Sequence, residues 1–234
     1  MRREGYELAV SRPSVIFREE NGVKQEPVEE LIVDLSEESM GSVIENLGSR
    51  KGELADMHPL GGGKMRLRYI IPTRSLMGFR SELLTQTRGE GIMTHAFFEY
   101  RTFKGALRSR RRGVLLSMGE GEAVPYAIWQ LQERGMFIIP PRTPVYAGMI
   151  IGFNNRDNDL IVNVLRTKQL TNIRASGTDE AIRIIPHIDL SLEQSLETIE
   201  DDELVEVTPK SIRLRKRILD TAQREAWAKR NRAG

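Results

Sequence analysis

Between Pro27 and Arg101 the hydrophobic period changes from two to 3.6 and back, twice over, and few folds accept that order of elements. Leu31, Val33 and Leu35 alternate as a strand. Ser36 then stands at a helix N-cap, with Glu37 and Glu38 in the first turn, where the helix dipole favours acids. Met40, Val43, Ile44 and Leu47 follow at helical spacing as far as Gly48. Gly52 to His58 reads as a second strand, Gly61-Gly62-Gly63 as a hairpin turn, and Met65, Leu67, Tyr69 and Ile71 as a third strand that Pro72 ends. Leu76, Phe79 and Leu83 mark a second amphipathic helix stopped by Gly89, and Ile92, Thr94, Ala96, Phe98 and Tyr100 alternate in a fourth strand.

That order, β-α-β-β-α-β, is the ferredoxin-like split βαβ, an antiparallel sheet with both helices on one face. It is assigned to residues 25–104. Before it, residues 1–24 alternate loosely around a break at Pro13 and a Glu20-Asn21-Gly22 turn, and read as the end of a preceding domain. Residues 105–234 change character, with short apolar runs (113–117, 123–131, 136–139, 145–151) punctuated by Gly and Pro. They read as a mostly β, barrel-like domain with a further strand at 184–188, closing strands at 204–207 and 212–214, and a basic terminal helix capped by Asp220. Ser191 and Gln194 form a capping box over Leu192, Leu196 and Ile199. The fold class expected is therefore α+β in two domains.

Hydrophobic content of 39% and charged content of 29% are ordinary for a soluble, cytoplasmic protein, and no apolar run approaches the roughly 18 residues of a membrane span. The absence of cysteine excludes disulfides, thiolate metal sites and cysteine nucleophiles. The net charge of +2 conceals local asymmetry. Asp189 to Glu206 carries only acids among its charged residues, whereas Arg101 to Arg112 and Lys210 to Gly234 are strongly basic.

Enzyme signatures fail one by one. Gly63-Lys64 lacks the P-loop's first glycine, since His58 stands there, and Met65 replaces its Ser or Thr. Gly119-Glu120-Gly121 lacks a third glycine, and Ser176 lacks a nucleophile elbow. His58, His95 and His187 have no ligand spacing, and the acids at 200–203 read as solvated. What survives is a stretch from Asn154 to Ala181, NNRDNDLIVNVLRTKQLTNIRASGTDEA, longer than the roughly 12–15 residues that structureless loops usually reach. Its arginines and lysine suit phosphates, and its amides and hydroxyls suit ribose and base edges. A solvated polar loop is the bland alternative on composition alone. The rivals from other classes are a regulatory module, in which the ferredoxin-like sheet binds a small ligand or a second copy of itself, and a metal-dependent hydrolase built on Asp157, Asp159 and Asp179.

Several segments together resemble the C-terminal part of the TypA/BipA family of ribosome-associated translational GTPases. MRREGYELAVSRPSVIFRE resembles the end of that family's third domain, and EPVEELIVDLSEESMGSVIENLGSRKGEL with IPTRSLMGFRSELLTQTRGEGIM the domain shared with elongation factor G. NDLIVNVLRTKQLTNIRASGTDEA and DDELVEVTPKSIRLRKRIL resemble the domain peculiar to the family. The resemblance implies an intact protein with a GTPase domain that binds GTP and Mg and that this chain lacks, so that no cofactor and no catalysis are expected here. It also implies a monomeric partner of the ribosome, with the long loop reaching large-subunit rRNA and the A-site tRNA, and roles in ribosome assembly and stress adaptation. RNA contact is carried onto Asn158, Arg166, Lys168, Asn172, Arg174 and Ser176 in the matching loop, and onto the basic triplet Arg215, Lys216 and Arg217.

Overall fold

The computed structural model describes residues 5–105, 107, 112–167 and 183–232. The chain forms two compact units, residues 13–109 and residues 1–12 with 110–234. Two short opening strands go to different units: β1 (Leu8–Ser11) to the second and β2 (Arg18–Glu20) to the first. The sequence expectation had joined them in one segment, 1–24, of a preceding domain. Their pairing partners differ because Pro13 interrupts the run between them.

In the first unit β2 turns through Asn21 and Gly22, both at positive φ, into β3 (Val23–Ser36). This is the two-residue turn that strand twist favours. There follow α1 (Glu37–Ser49), β4 (Glu53–Gly61), β5 (Lys64–Pro72), α2 (Phe79–Gln86) and β6 (Ile92–Thr102). The sheet order is β4-β5-β3-β6, antiparallel throughout, with β2 paired to the start of β3. This is the expected ferredoxin-like topology.

Leu31, Val33 and Leu35 of β3 and Leu67, Tyr69 and Ile71 of β5 pack against Val43 and Leu47 of α1 and Phe79 and Leu83 of α2. Each buried side chain contributes about 2 kcal/mol relative to exposure. Ser36 occupies the N-cap position without capping the helix. Its hydroxyl donates to Ser39 Oγ, while the Glu37 N–H donates to the Gly63 carbonyl at 3.0 Å. The hairpin turn thus supplies the cap. On β6 the alternation has the phase opposite to a core strand: Met93, opposite Val33, packs on the core, and Ile92 is 63% exposed.

The second unit contains β7 (Val114–Ser117), β8 (Gly121–Glu122), α3 (Pro125–Leu131), β9 (Gly135–Phe137), β10 (Pro144–Val145), β11 (Met149–Asn154), β12 (Leu160–Val162), α4 (Leu192–Thr198), β13 (Glu203–Val207), β14 (Ile212–Lys216) and α5 (Thr221–Arg232). Its main sheet runs β1-β13-β14-β11-β7-β12, with β9 also paired to β11 and β12 parallel to β7. β8 and β10 form a separate pair.

This sheet is covered on both sides. Leu115, Met149 and Ile151 enter one apolar cluster, while Val114, Leu116 and Ile150 enter another with Ile199, Val205 and Leu214. That is why β7 and the start of β11 read as unbroken apolar runs. Among the described residues the sheet does not close, so the barrel-like expectation is corrected to an open, two-sided sheet. Residues 125–131, expected as strand, are helical because Pro125 presets the first helical turn. Residues 184–188, also expected as strand, form no strand, although the Ile188 N–H donates to the Phe137 carbonyl at 2.9 Å. The capping box at Ser191 and Gln194 is present in full.

Candidate nucleic-acid interface

The polar stretch that begins at Asn154 is anchored at its start. Asn154 is buried at the end of β11, where its Nδ2 donates to the Asn158 carbonyl at 2.6 Å and its Oδ1 accepts from the Arg156 N–H at 3.3 Å. These bonds close a tight turn whose tip residues, 155–158, are exposed. Asn155 fastens the turn to the neighbouring 132–134 segment through the carbonyls of Arg134 and Glu133. Gly113 lies directly against it: a Cβ there would stand 2.1 Å from the Asn158 carbonyl oxygen, so no side chain fits.

The next residues are a strand that the sequence pattern does not announce. Leu160, Ile161 and Val162 form β12 beside β7. Three apolar residues give too short a run for periodicity to detect. Val164 and Leu165 then pack on the cluster around Leu115 and Ile128, and Ile184 packs on the same cluster at the far end of the stretch. The Gln132 side chain holds that far end, donating to the Arg183 carbonyl at 3.3 Å and accepting from the Ile185 N–H at 3.1 Å. Both flanks of the family-resembling segment therefore rest on one apolar wall.

A charged knot ties the base of the turn to the sheet. Lys216 Nζ lies 2.7 Å from Asp159 Oδ2 and 2.9 Å from both Asp202 Oδ2 and Glu203 Oε1. Lys216 is 3% exposed and Glu203 fully buried. An ammonium has three protons to donate, and here each has a carboxylate. Burial opposes the charged lysine, but Glu203, Asp159 and Asp202 outweigh it and raise its pKa. The second oxygen of Asp159 accepts from the Val114 N–H at 2.9 Å, and that of Glu203 from the Glu200 N–H at 3.0 Å.

The expected contact residues therefore separate. Asn158, Arg166 and Arg217 are exposed, as is Arg156, and none of these arginines forms an ion pair among the described residues. The Lys216–Asp159 contact places the end of β14, with Arg217, beside the turn that carries Arg156 and Asn158. Arg215 is half-buried, with Nε 3.9 Å from Glu206, which also accepts from the Tyr146 hydroxyl at 2.8 Å. Lys216 is corrected from a surface contact to a buried structural cation, because its ammonium is already surrounded by carboxylates. Lys168, Asn172, Arg174 and Ser176 lie outside the described residues. The acids at 200–203, expected to stay solvated, contribute Asp202 and Glu203 to the knot. Asp159, weighed as a hydrolase ligand, is committed to Lys216, and among the described residues no group of three or more His, Asp or Glu side chains is placed to hold a metal. The three histidines lie apart, each beside its own acid. No described helix is long and apolar enough to cross a membrane.

Two family models match the chain. Residues 112–221 match the TypA/BipA C-terminal domain, and residues 23–119 match the elongation factor G C-terminus. Among curated proteins, the large ribosomal subunit assembly factor BipA of Salmonella typhimurium is 55% identical over 94% of this chain, and that of Haemophilus influenzae 53% over 96%. The Bacillus subtilis protein of the same name is 49% identical over 99%. The chain spans 36%, 37% and 38% of their respective lengths.

Proposed function

Since this chain belongs to the TypA/BipA family and carries its C-terminal domains, we propose that it is the ribosome-binding region of a translational GTPase. In this reading it docks the factor at the A site through large-subunit rRNA and A-site tRNA, and acts in assembly of the large subunit or in stress adaptation. The matched models are C-terminal domains, which supports a reading in which this region contributes binding and a separate GTPase domain would supply the GTP and Mg chemistry. The observation that carries the reading is the combination of a hydrogen-bonded, ion-paired base with exposed cations. Arg156 is exposed on a turn held by Asn154, Asp159 and Lys216, Arg217 follows Lys216 at the end of β14, and Arg166 is exposed farther along the same stretch, after β12. Surface arginines that form no ion pair among the described residues can meet phosphate without first breaking one, and a base held in place limits the entropy lost on docking.

The test is binding to isolated large subunits across a salt series. Removing the charges of Arg166, Lys168 and Arg174 together is expected to weaken binding and to flatten the salt dependence by about 0.7–0.9 in log–log slope for each phosphate left without its cation. The melting temperature should not change. Unchanged affinity and slope would sink the assignment.

A further inference from the structure

The described side chains of helix α5 form no buried face. Of its side chains that are described, only Thr221 and Arg224 are even half-buried. Among the described residues, the hydrogen bonds that tie the helix to the preceding chain are at its start. Asp220 Oδ1 accepts from the Gln223 N–H at 2.8 Å, and the Arg224 guanidinium donates to the carbonyls of Ile218 and Leu219 at 3.0 and 2.6 Å and to Thr221 Oγ1 at 3.1 Å. A helix of this length without a packed face is marginal in water. Yet it carries Trp227, 47% exposed, in a stretch otherwise strongly polar.

The surroundings of the indole indicate what it meets. Gln223, Arg224 and Arg230 stand four before, three before and three after it, on the same side of the helix. Lys229 and Arg230 form no ion pair among the described residues. Glu225 is the single acid of the helix, against Arg224, Lys229, Arg230 and Arg232. Apart from Trp227 the apolar residues are Ala222, Ala226 and Ala228, which make neither the repeated anchors of a helix seated in a protein groove nor the broad apolar face of a membrane-surface helix. An aromatic ring among arginines is instead a stacking platform for an unpaired base, with cations placed for the adjoining phosphates.

We propose that α5 is a second RNA contact, in which Trp227 stacks on an unpaired base while Lys229 and Arg230 meet neighbouring phosphates. The inference rests on RNA being the partner, as proposed above, and adds a site outside the polar stretch in sequence. Trp129 and Trp227 are the two tryptophans of the chain, so Trp129→Phe leaves Trp227 as the one indole reporter. Titrating that variant with a single-stranded RNA oligomer of about ten nucleotides should quench its fluorescence. Trp227→Ala should weaken binding about tenfold, and Trp227→Phe should restore most of it. The inference is overturned if no quenching occurs, if Trp227→Ala binds as tightly as the parent, or if vesicles containing anionic phosphatidylglycerol quench the indole and RNA does not. Should the Arg166, Lys168 and Arg174 variant lose large-subunit binding while Trp227→Ala leaves oligomer binding intact, this inference fails and the proposed function stands. Binding of neither oligomer nor subunit by the parent chain would remove both.

Discussion

Three adjacent basic residues, Arg215, Lys216 and Arg217, look interchangeable in the sequence and are separated by the sheet. Along β14 the side chains at 212, 214 and 216 point one way, and those at 213, 215 and 217 the other. Leu214 and Lys216 are both 3% exposed. That period of two was visible beside the acidic Asp201-Asp202-Glu203, and it marks Lys216 as an inward-facing residue needing an acid. What the sequence could not supply was Asp159, brought in from another part of the chain. Replacing the lysine leaves three carboxylates facing each other with one of them fully buried. Lys216→Met is therefore expected to destabilise the second unit by about 3 kcal/mol, read as a lowered urea midpoint. A change below about 0.5 kcal/mol would mean that the knot is incidental.

The same residue sets a pH dependence. Its folded pKa is raised above the ordinary lysine value of 10.5, so its contribution is complete below that value and declines as pH rises through the folded pKa. The stability gap between the parent and Lys216→Met should stay constant from neutral pH to about pH 10 and narrow beyond it. A gap that widens with alkalinity would contradict the assignment of charge.

At the scale of elements, the parts with strong period or cap chemistry were legible and the parts set by neighbours were not. In the first unit β3, α1 and β5 follow from apolar spacing, and their bounds from turn residues. The apolar set on β6 did not reveal its face, because the uncovered side of the sheet also holds apolar side chains, and it is Met93 that finds the helices. β12 escaped because a three-residue strand is defined by its ladder to β7 rather than by any local signal. Close backbone approach was equally hidden. Gly113→Ala should destabilise by about 2 kcal/mol or more, since its methyl group would stand 2.1 Å from the Asn158 carbonyl. Gly41 makes the contrast: it lies exposed within α1 with open space around its Cβ position, so Gly41→Ala should stabilise by about 1 kcal/mol. Thermal melts of the two variants check both, and shifts in the same direction would refute the packing account.

For the whole molecule, the order of elements gave the first unit its topology, whereas the short strands of the second suggested a barrel. Strand count alone does not say whether a sheet closes. Closure depends on pairings such as β1 with β13, which join residues from opposite ends of the chain. The candidate interface was legible as a polar, cation-rich stretch, and the structure adds that its base is tied to the sheet by hydrogen bonds and ion pairs and that one expected contact, Lys216, is buried in that base. The central claim is that this stretch faces ribosomal RNA. Crosslinking the chain to intact ribosomes from positions within residues 154–185 and mapping the attached nucleotides tests it directly. The account predicts crosslinks to large-subunit rRNA and the A-site tRNA; crosslinks confined to the small subunit, or none while the chain stays bound, would contradict it.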